Sequence, residues 1–385
     1  MTRIPLLLLS LALFVLAGCA AQPLRGTGDL GVVIERASGS VLLVDTTRRA
    51  ELQRIEGLGD VSHASVVFSR DARYAYVFGR DGGLTKVDLL RARIERRVIQ
   101  SGNAIGGAIS QDGRLLAAAN YTPGGIRIFD ADTLELLSDV RTEGKVVGIS
   151  DAPGNRFVFS VFELGEIWVV DASEPRQAKV AQIARAGKQP YDGFLTPDGR
   201  YYIAGLYGED GLALLDLWHP GNGARRVLQG YGRGEEPLPV FKMPHLRGWA
   251  SAGRYIFLPA VGRHEVLVLD RANWGEAARI PVRGQPVFAV AQPGGRRVWV
   301  NFAVPDYDVV QVIDVDTMQV VKELRPGRAV LHIEFSPRGE QAWVSSRDDD
   351  AVVVYDTGSF AELARLPAKK PSGIFLSARA AMTGF

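Results

Sequence analysis

The residues of this 385-residue chain that could do chemistry are Arg36, His63, Arg80, Lys145, Tyr191, His245 and Arg347. Guanidinium forks pair carboxylates through two parallel hydrogen bonds, phenol rings stack on flat ligands, and imidazole can ligate iron. Together they suit a planar, aromatic ligand that carries several carboxylates. They are spread from position 36 to position 347, so only the fold could gather them. The sequence shows no Ser-His-Asp order, no paired-carboxylate spacing and no His-x-x-x-His motif. The competing reading is plain: polar side chains at loop tips are usually there because water is. His264 and His332 are read that way, as histidines held by nearby aspartates or hydroxyls.

The elements that must position these residues are legible from a repeat. Between His63 and Asp88 lie three apolar runs, Val66–Phe68, Tyr74–Phe78 and Leu84–Val87, divided by the turns Ser69–Arg73 and Arg80–Gly83. Short β-branched and aromatic runs between Gly/Asp turns predict antiparallel strands joined by hairpins. Aspartates that end such a run recur at Asp45, Asp88, Asp130, Asp171, Asp216, Asp270, Asp314 and Asp356. Their spacing stays in the low forties except between Asp216 and Asp270, where about ten extra residues intervene. Turns such as Ser110–Arg114, Thr196–Arg200 and Ser336–Glu340 keep the same phase. A period of this length with several strands per unit predicts an all-β fold, an eight-bladed β-propeller.

Seven blades are continuous, with inner strands beginning near His63, Asn103, Lys145, Tyr191, His245, Gln285 and His332. The eighth is shared: residues 28–55 lack an inner strand, and Pro371–Ala380 supplies one. A ring closed by strands from both termini leaves no open sheet edge. In this geometry the loops entering the inner strands and the hairpins between second and third strands share one face. That face collects His63, Lys145, Tyr191 and His245 from the loops, and Arg36, Arg80, Tyr121, Glu163, Tyr207, Tyr307 and Arg347 from the hairpins. The extra residues, placed within Trp218–Leu246, are read as a flap over the channel mouth, and Gly230–Gly234 within them as a mobile loop. Asp151 is read as a turn residue of the opposite rim.

Composition narrows the class. A net charge of +2, with 46% apolar and 9% aromatic residues, describes a chain with a large core and no concentrated basic stripe. That argues against nucleic-acid binding. The first residues carry Arg3, an apolar run from Pro5 to Leu16, and Leu16-Ala17-Gly18-Cys19. This predicts a secretory signal over residues 1–18, too short to span a membrane. Its ending resembles the bacterial lipobox. Cys19 would then be lipidated, residues 19–27 would form a tether, and 28–385 would be the propeller, lipid-anchored in the periplasm of a Gram-negative bacterium. Cys19 is the only cysteine, so there is no Cys-x-x-Cys-His for covalent heme attachment, and redox work would need a bound cofactor.

One stretch resembles a known family. Ser62 to Leu89 is similar to the opening of the heme d1 domain of cytochrome cd1 nitrite reductases, and Tyr191-Asp192-Gly193 is similar to that family's His-Asp-Gly. With the lipobox and without the c-heme motif, the chain resembles the heme d1 biosynthesis lipoproteins of denitrifying bacteria. The resemblance implies heme d1 or an iron-tetrapyrrole precursor as ligand, His63 as its axial iron ligand, and Arg36 and Arg80 on its carboxylates. Lys145 and Arg347 join them from face geometry. Tyr191 stands where the reductases place a distal histidine, which makes nitrite reduction doubtful, and His245 falls near the second one. The implied function is binding a late heme d1 precursor and changing a peripheral substituent, by an oxidative or side-chain step with Tyr191 and His245 as acid/base groups. The alternative is a non-catalytic carrier that passes the pigment on; a third reading is a protein-interaction propeller without cofactor. Expected partners are nitrite reductase and other heme d1 maturation proteins, and a homodimer is compatible with this reading.

Overall fold

The computed structural model describes residues 26–230, 248–260 and 262–382. They form eight four-stranded antiparallel sheets, arranged as the blades of a propeller. Blade 1 spans Ser65–Ile99, blade 2 Asn103–Val140, blade 3 Val146–Ile183 and blade 4 Pro190–Val227. Blade 5 spans Ala250–Pro281, blade 6 Pro286–Leu324 and blade 7 Val330–Pro367. Blade 8 joins Leu30–Ile55 to the C-terminal strand Pro371–Leu376, with Gly31, Val32 and Val33 opposite Leu376, Phe375 and Ile374. The closure expected from the two chain ends is therefore the one formed.

The repeating aspartates and turns have a joint physical cause. In blade 1 the Ser69 hydroxyl donates to Asp71 and accepts the Tyr74 N–H, tying the first turn. Ser110 with Asp112 and Thr196 with Asp198 do the same in blades 2 and 4. Asp88 accepts the N–H groups of Leu90 and Arg91, which fixes the turn into the outer strand, and pairs with Arg73 at 3.1 Å. Arg200–Asp216 and Arg254–Asp270 repeat that ion pair. One arginine–aspartate contact thus links the two turns at the bottom of a blade, and both recur with the same phase.

Burial follows strand position. All six residues of Leu30–Glu35 and of Gly83–Asp88 are buried, whereas the outer strand Ala50–Ile55 alternates. Middle strands are covered on both faces by neighbouring blades, and outer strands meet water on one side. Large side chains fill the space between blades: Trp299, buried completely, meets Phe335 edge-on at 5.5 Å.

One expectation needs correction, and two others gain detail. The span Trp218–Leu246, within which the extra residues are placed, begins with the turn and the outer strand of blade 4, Ala224–Val227, which narrows their place to the part after Val227. Tyr231–Arg247, including His245 and most of the glycine-rich run, lie outside the described residues. Asp151 is the penultimate residue of the inner strand Val146–Ala152, not a turn residue. It is 1% exposed and its carboxylate stands 3.8 Å from Arg70, because the blade 3 strand runs on past the point where blade 1 turns. His332 is held in place, as expected, and one partner is backbone: its Nδ1 accepts the Ile374 N–H at 2.7 Å, stitching blade 7 to the closing strand.

Candidate functional site

Loops entering the inner strands and the hairpins between second and third strands do share one face, and two groups of side chains assemble there. The first lies on blades 7, 8 and 1. Arg36 tips the hairpin of blade 8, Arg80 that of blade 1 and Arg347 that of blade 7, while His63 ends the loop into blade 1. Nη1 of Arg80 stands 3.0 Å from Nδ1 of His63. Asp81, beside Arg80, is already taken by Arg97 at 2.6 Å, and Arg347 pairs with its neighbour Asp348 at 2.8 Å. Arg36 forms no ion pair among the described residues.

Electrostatics shows how crowded this positive corner is. Burial pushes the Arg36 pKa down, and the nearby charges of Arg347 and Arg80 push the same way against Asp60 and Asp348. Burial, then Arg80 and Arg36, lower His63 to about 4. The ring is therefore neutral at physiological pH. Because a guanidinium can only donate, Nδ1 is the acceptor and the ring proton sits on Nε2.

That shift predicts a pH effect with a definite sign. A histidine with a depressed native pKa is protonated first in the unfolded chain, so it costs stability as pH falls from about 6.5 towards about 4. Thermal unfolding of His63→Gln should therefore decline less than that of the parent protein over this window. Parallel declines would contradict the buried neutral ring.

The second group lies across the ring, on blades 2 to 4. Tyr191, second residue of the blade 4 inner strand, packs against Phe162 and Tyr207 with ring centroids 5.6 and 5.4 Å away. Lys145 lies over Phe162 at 5.2 Å and Tyr121 at 5.8 Å, and pairs with Glu163 at 3.0 Å. The charge expected of Lys145 is thus balanced by Glu163, also on that face. Phe162 was not singled out from sequence; its hairpin register, next to Glu163, was the signal that could have found it.

Below this face runs a cavity of about 540 Å³, lined by inner strands from all eight blades. Its wall is mostly apolar, with Ile105, Phe194, Trp249, Phe288 and Phe375, and it begins at Ser65, two residues beyond His63. The C-terminal turn Ser377–Ala381 closes the bottom: Arg70 donates to the carbonyls of Ala380 and Met382, and Arg379 pairs with Glu334. No cluster of three His, Cys, Asp or Glu able to hold a metal ion occurs among the described residues. His245 and Cys19 lie outside them.

Of the residues expected on one face, Arg36, His63, Arg80 and Arg347 come together, and Lys145 and Tyr191 form a separate aromatic arc opposite. None of Arg36, His63, Arg80 and Arg347 lines the cavity itself; they form a cationic corner on the face where the inner strands begin, and such a corner suits the carboxylates of a flat ligand.

Comparison with known proteins agrees with this architecture. Residues 25–380 match the cytochrome D1 heme domain. Protein NirF of Stutzerimonas stutzeri is 58% identical over 99% of both chains. The dihydro-heme d1 dehydrogenase of Pseudomonas aeruginosa is 29% identical over 90% of this chain and 70% of its own length. A ligand-bound structure of dihydro-heme d1 dehydrogenase NirN superimposes with a TM-score of 0.80, covering 95% of this chain and 79% of that one at 26% identity. This chain belongs to the cytochrome D1 heme-domain family and, within it, to the NirF proteins.

Proposed function

We propose that this protein binds an iron tetrapyrrole of the heme d1 type at the channel mouth and changes a peripheral substituent of it during heme d1 maturation. The observation that carries this reading is the half-buried corner of Arg36, Arg80 and His63, which has more positive charge than its neighbouring carboxylates balance. Burying unpaired charge is expensive, and pigment carboxylates would relieve it. Arg36 and Arg80 would take those carboxylates, with Arg347 at the margin and Lys145 on the opposite arc. Tyr121, Phe162 and Tyr207 supply ring faces to stack on the disc.

The residues fit the pigment on one condition. A metal-binding histidine usually donates its second N–H to an acceptor, and His63 instead receives a proton donor at Nδ1. For Nε2 to offer a lone pair to iron, Arg80 must release Nδ1. A carboxylate drawing the Arg80 guanidinium away would do that, so recognition of the rim and iron ligation would act in sequence. The iron and conjugated ring supply any redox chemistry; the chain orients the disc and moves protons at its edge. Tyr191 is assigned that proton transfer, with His245 as its counterpart.

A second reading, a carrier that hands the pigment to nitrite reductase or another maturation protein, is favoured by one feature. Tyr191 sits within a ring cluster and Lys145 within an ion pair with Glu163, so both groups are already engaged by the protein itself. In both readings Cys19 anchors the protein to the membrane and the work is done in the periplasm during denitrification. One experiment separates them. Mixing the protein with a heme d1 precursor should shift the visible spectrum, and mass analysis of the recovered pigment should show a change. In Tyr191→Phe the spectral shift should persist while turnover is lost. Unchanged mass with a full spectral shift would leave the carrier, and no shift would end both readings.

A further inference from the structure

The chain enters the ring from its lower rim. The second strand of blade 8, Leu30–Glu35, runs towards the hairpin of Arg36 on the upper face, so Leu30 stands on the lower one. The chain is already fixed there at Thr27, whose carbonyl accepts the Leu30 N–H and the Ser377 hydroxyl of the C-terminal turn. The Asp29 carbonyl accepts the Thr46 N–H at 2.7 Å, from the turn into the outer strand. Cys19 precedes Gly26, the first described residue, by seven positions. Seven residues reach at most about 25 Å when fully extended. With Cys19 held in lipid, as proposed above, the lower rim of blade 8 cannot stand further than that from the bilayer surface.

The lower face carries side chains suited to that neighbour. Trp218 lies in the turn between the third and outer strands of blade 4, across the ring from blade 8. It is 59% exposed, and the other five tryptophans are buried or half-buried. The Arg200 guanidinium braces it, lying 4.8 Å from the ring centres of both Trp218 and Tyr201 and pairing with Asp216 at 2.8 Å. Indole rings favour the boundary between water and hydrocarbon, because one edge is polar and the body is not. The ion pairs between the turns add a second feature. Arg48, Arg91 and Arg254 are each more than half exposed, whereas Asp45, Asp88 and Asp270 are at most 14% exposed. Those carboxylates are spent on backbone N–H groups of their own turns, so the guanidiniums face out. Outward guanidiniums pair well with phosphate headgroups. Asp132 and Glu340 also stand out on this face, so its own attraction to lipid is weak and the anchor supplies the rest. We propose that the lower face lies against the membrane surface, with Trp218 seated among lipid headgroups, and that the channel mouth thereby points away from the bilayer. Pigment then enters and leaves on the aqueous side. This orientation rests on the lipid-anchor reading of Cys19.

The test uses the full-length lipidated protein in vesicles of phosphatidylethanolamine and phosphatidylglycerol that carry a headgroup dye. Cys19 is the only cysteine and lipidation consumes its sulfur, so an added cysteine is the one reactive thiol. Arg338→Cys puts a fluorescent label on the lower rim of blade 7, and Val304→Cys, at a position 61% exposed, puts one on the upper rim of blade 6. Strands of about six residues set the rims about 20 Å apart, so energy transfer to the dye should be at least about 3-fold stronger from the lower label. Brominated lipid should quench part of the parent's tryptophan emission, and Trp218→Phe should abolish that quenching. Equal transfer from both labels, or stronger transfer from the upper one, would overturn the orientation. Quenching that survives in Trp218→Phe, or is absent in the parent, would overturn the seating of Trp218. A mature protein whose mass shows no lipid on Cys19 would defeat the anchor and the orientation together, a different outcome from a lipidated protein lying the other way up.

Discussion

A chain ending at Lys370 should fail to hold its ring together. The missing residues include the strand Pro371–Leu376, which is buried at every position and pairs with Leu30–Glu35 along its length. Ile374, Phe375 and Leu376 are each at most 2% exposed. Burial of each such side chain is worth about 1.5–3 kcal/mol. The truncation also strands polar groups: Glu334, 7% exposed, loses Arg379, and Nδ1 of His332 loses the Ile374 N–H. Each loss costs about 1–3 kcal/mol or more in a buried setting. The sum is comparable to the whole stability of an ordinary domain, about 5–15 kcal/mol. Insoluble protein, or a Tm lowered by tens of degrees, is the expected result. Differential scanning calorimetry of a soluble truncated protein with unfolding like the parent's would refute closure by the C-terminal strand. The effect is global because a propeller has no terminal blade to fray; opening one seam exposes the edge of Leu30–Glu35 and the face of blade 7 together.

The second large effect concerns binding. Replacing Arg36 and Arg80 with alanine should weaken tetrapyrrole affinity by about 10- to 100-fold each, the range for charge-assisted hydrogen bonds. Pigment-free stability should move the other way. Arg36 is held against burial and against the charges of Arg347 and Arg80, so Arg36→Ala relieves repulsion and should leave the Tm unchanged or higher. Opposite signs for affinity and stability are the mark of a site built for a ligand and not for the fold. Spectral titration with thermal unfolding on the same samples reads both. Unchanged affinity in the double variant would remove these arginines from the site, and a falling Tm would make them structural. Affinity of the parent protein should also drop with added salt, since the exposed part of the attraction is screened.

How much of this could be read from the chain depends on the distance over which each feature is determined. The blades were legible because strand alternation, Gly/Asp turns and the arginine–aspartate contact between the turns of one blade are settled within about forty residues. The sharing of blade 8 was legible too, since each chain end lacks what the other has. The hairpin register puts Phe162 on the upper face beside Glu163, but only the tertiary structure shows its ring meeting Tyr191 from the next blade. Asp151 was misplaced because strand length, which varies by one or two residues between blades, decides whether a polar group sits in the turn or in the wall.

Sequence alone therefore settled the architecture and placed Arg36, His63, Arg80, Lys145, Tyr191 and Arg347 on the upper face. It could not say which of those charges are already neutralised. Arg347 has Asp348, Lys145 has Glu163 and Asp81 is taken by Arg97, leaving Arg36 and Arg80 beside His63 with Asp60 as their nearby counter-charge. That sorting is a matter of a few ångströms between side chains from different blades. Only the closed ring brings them within that range, because the repeat dictates where each blade sits but not how the tips of neighbouring blades pair.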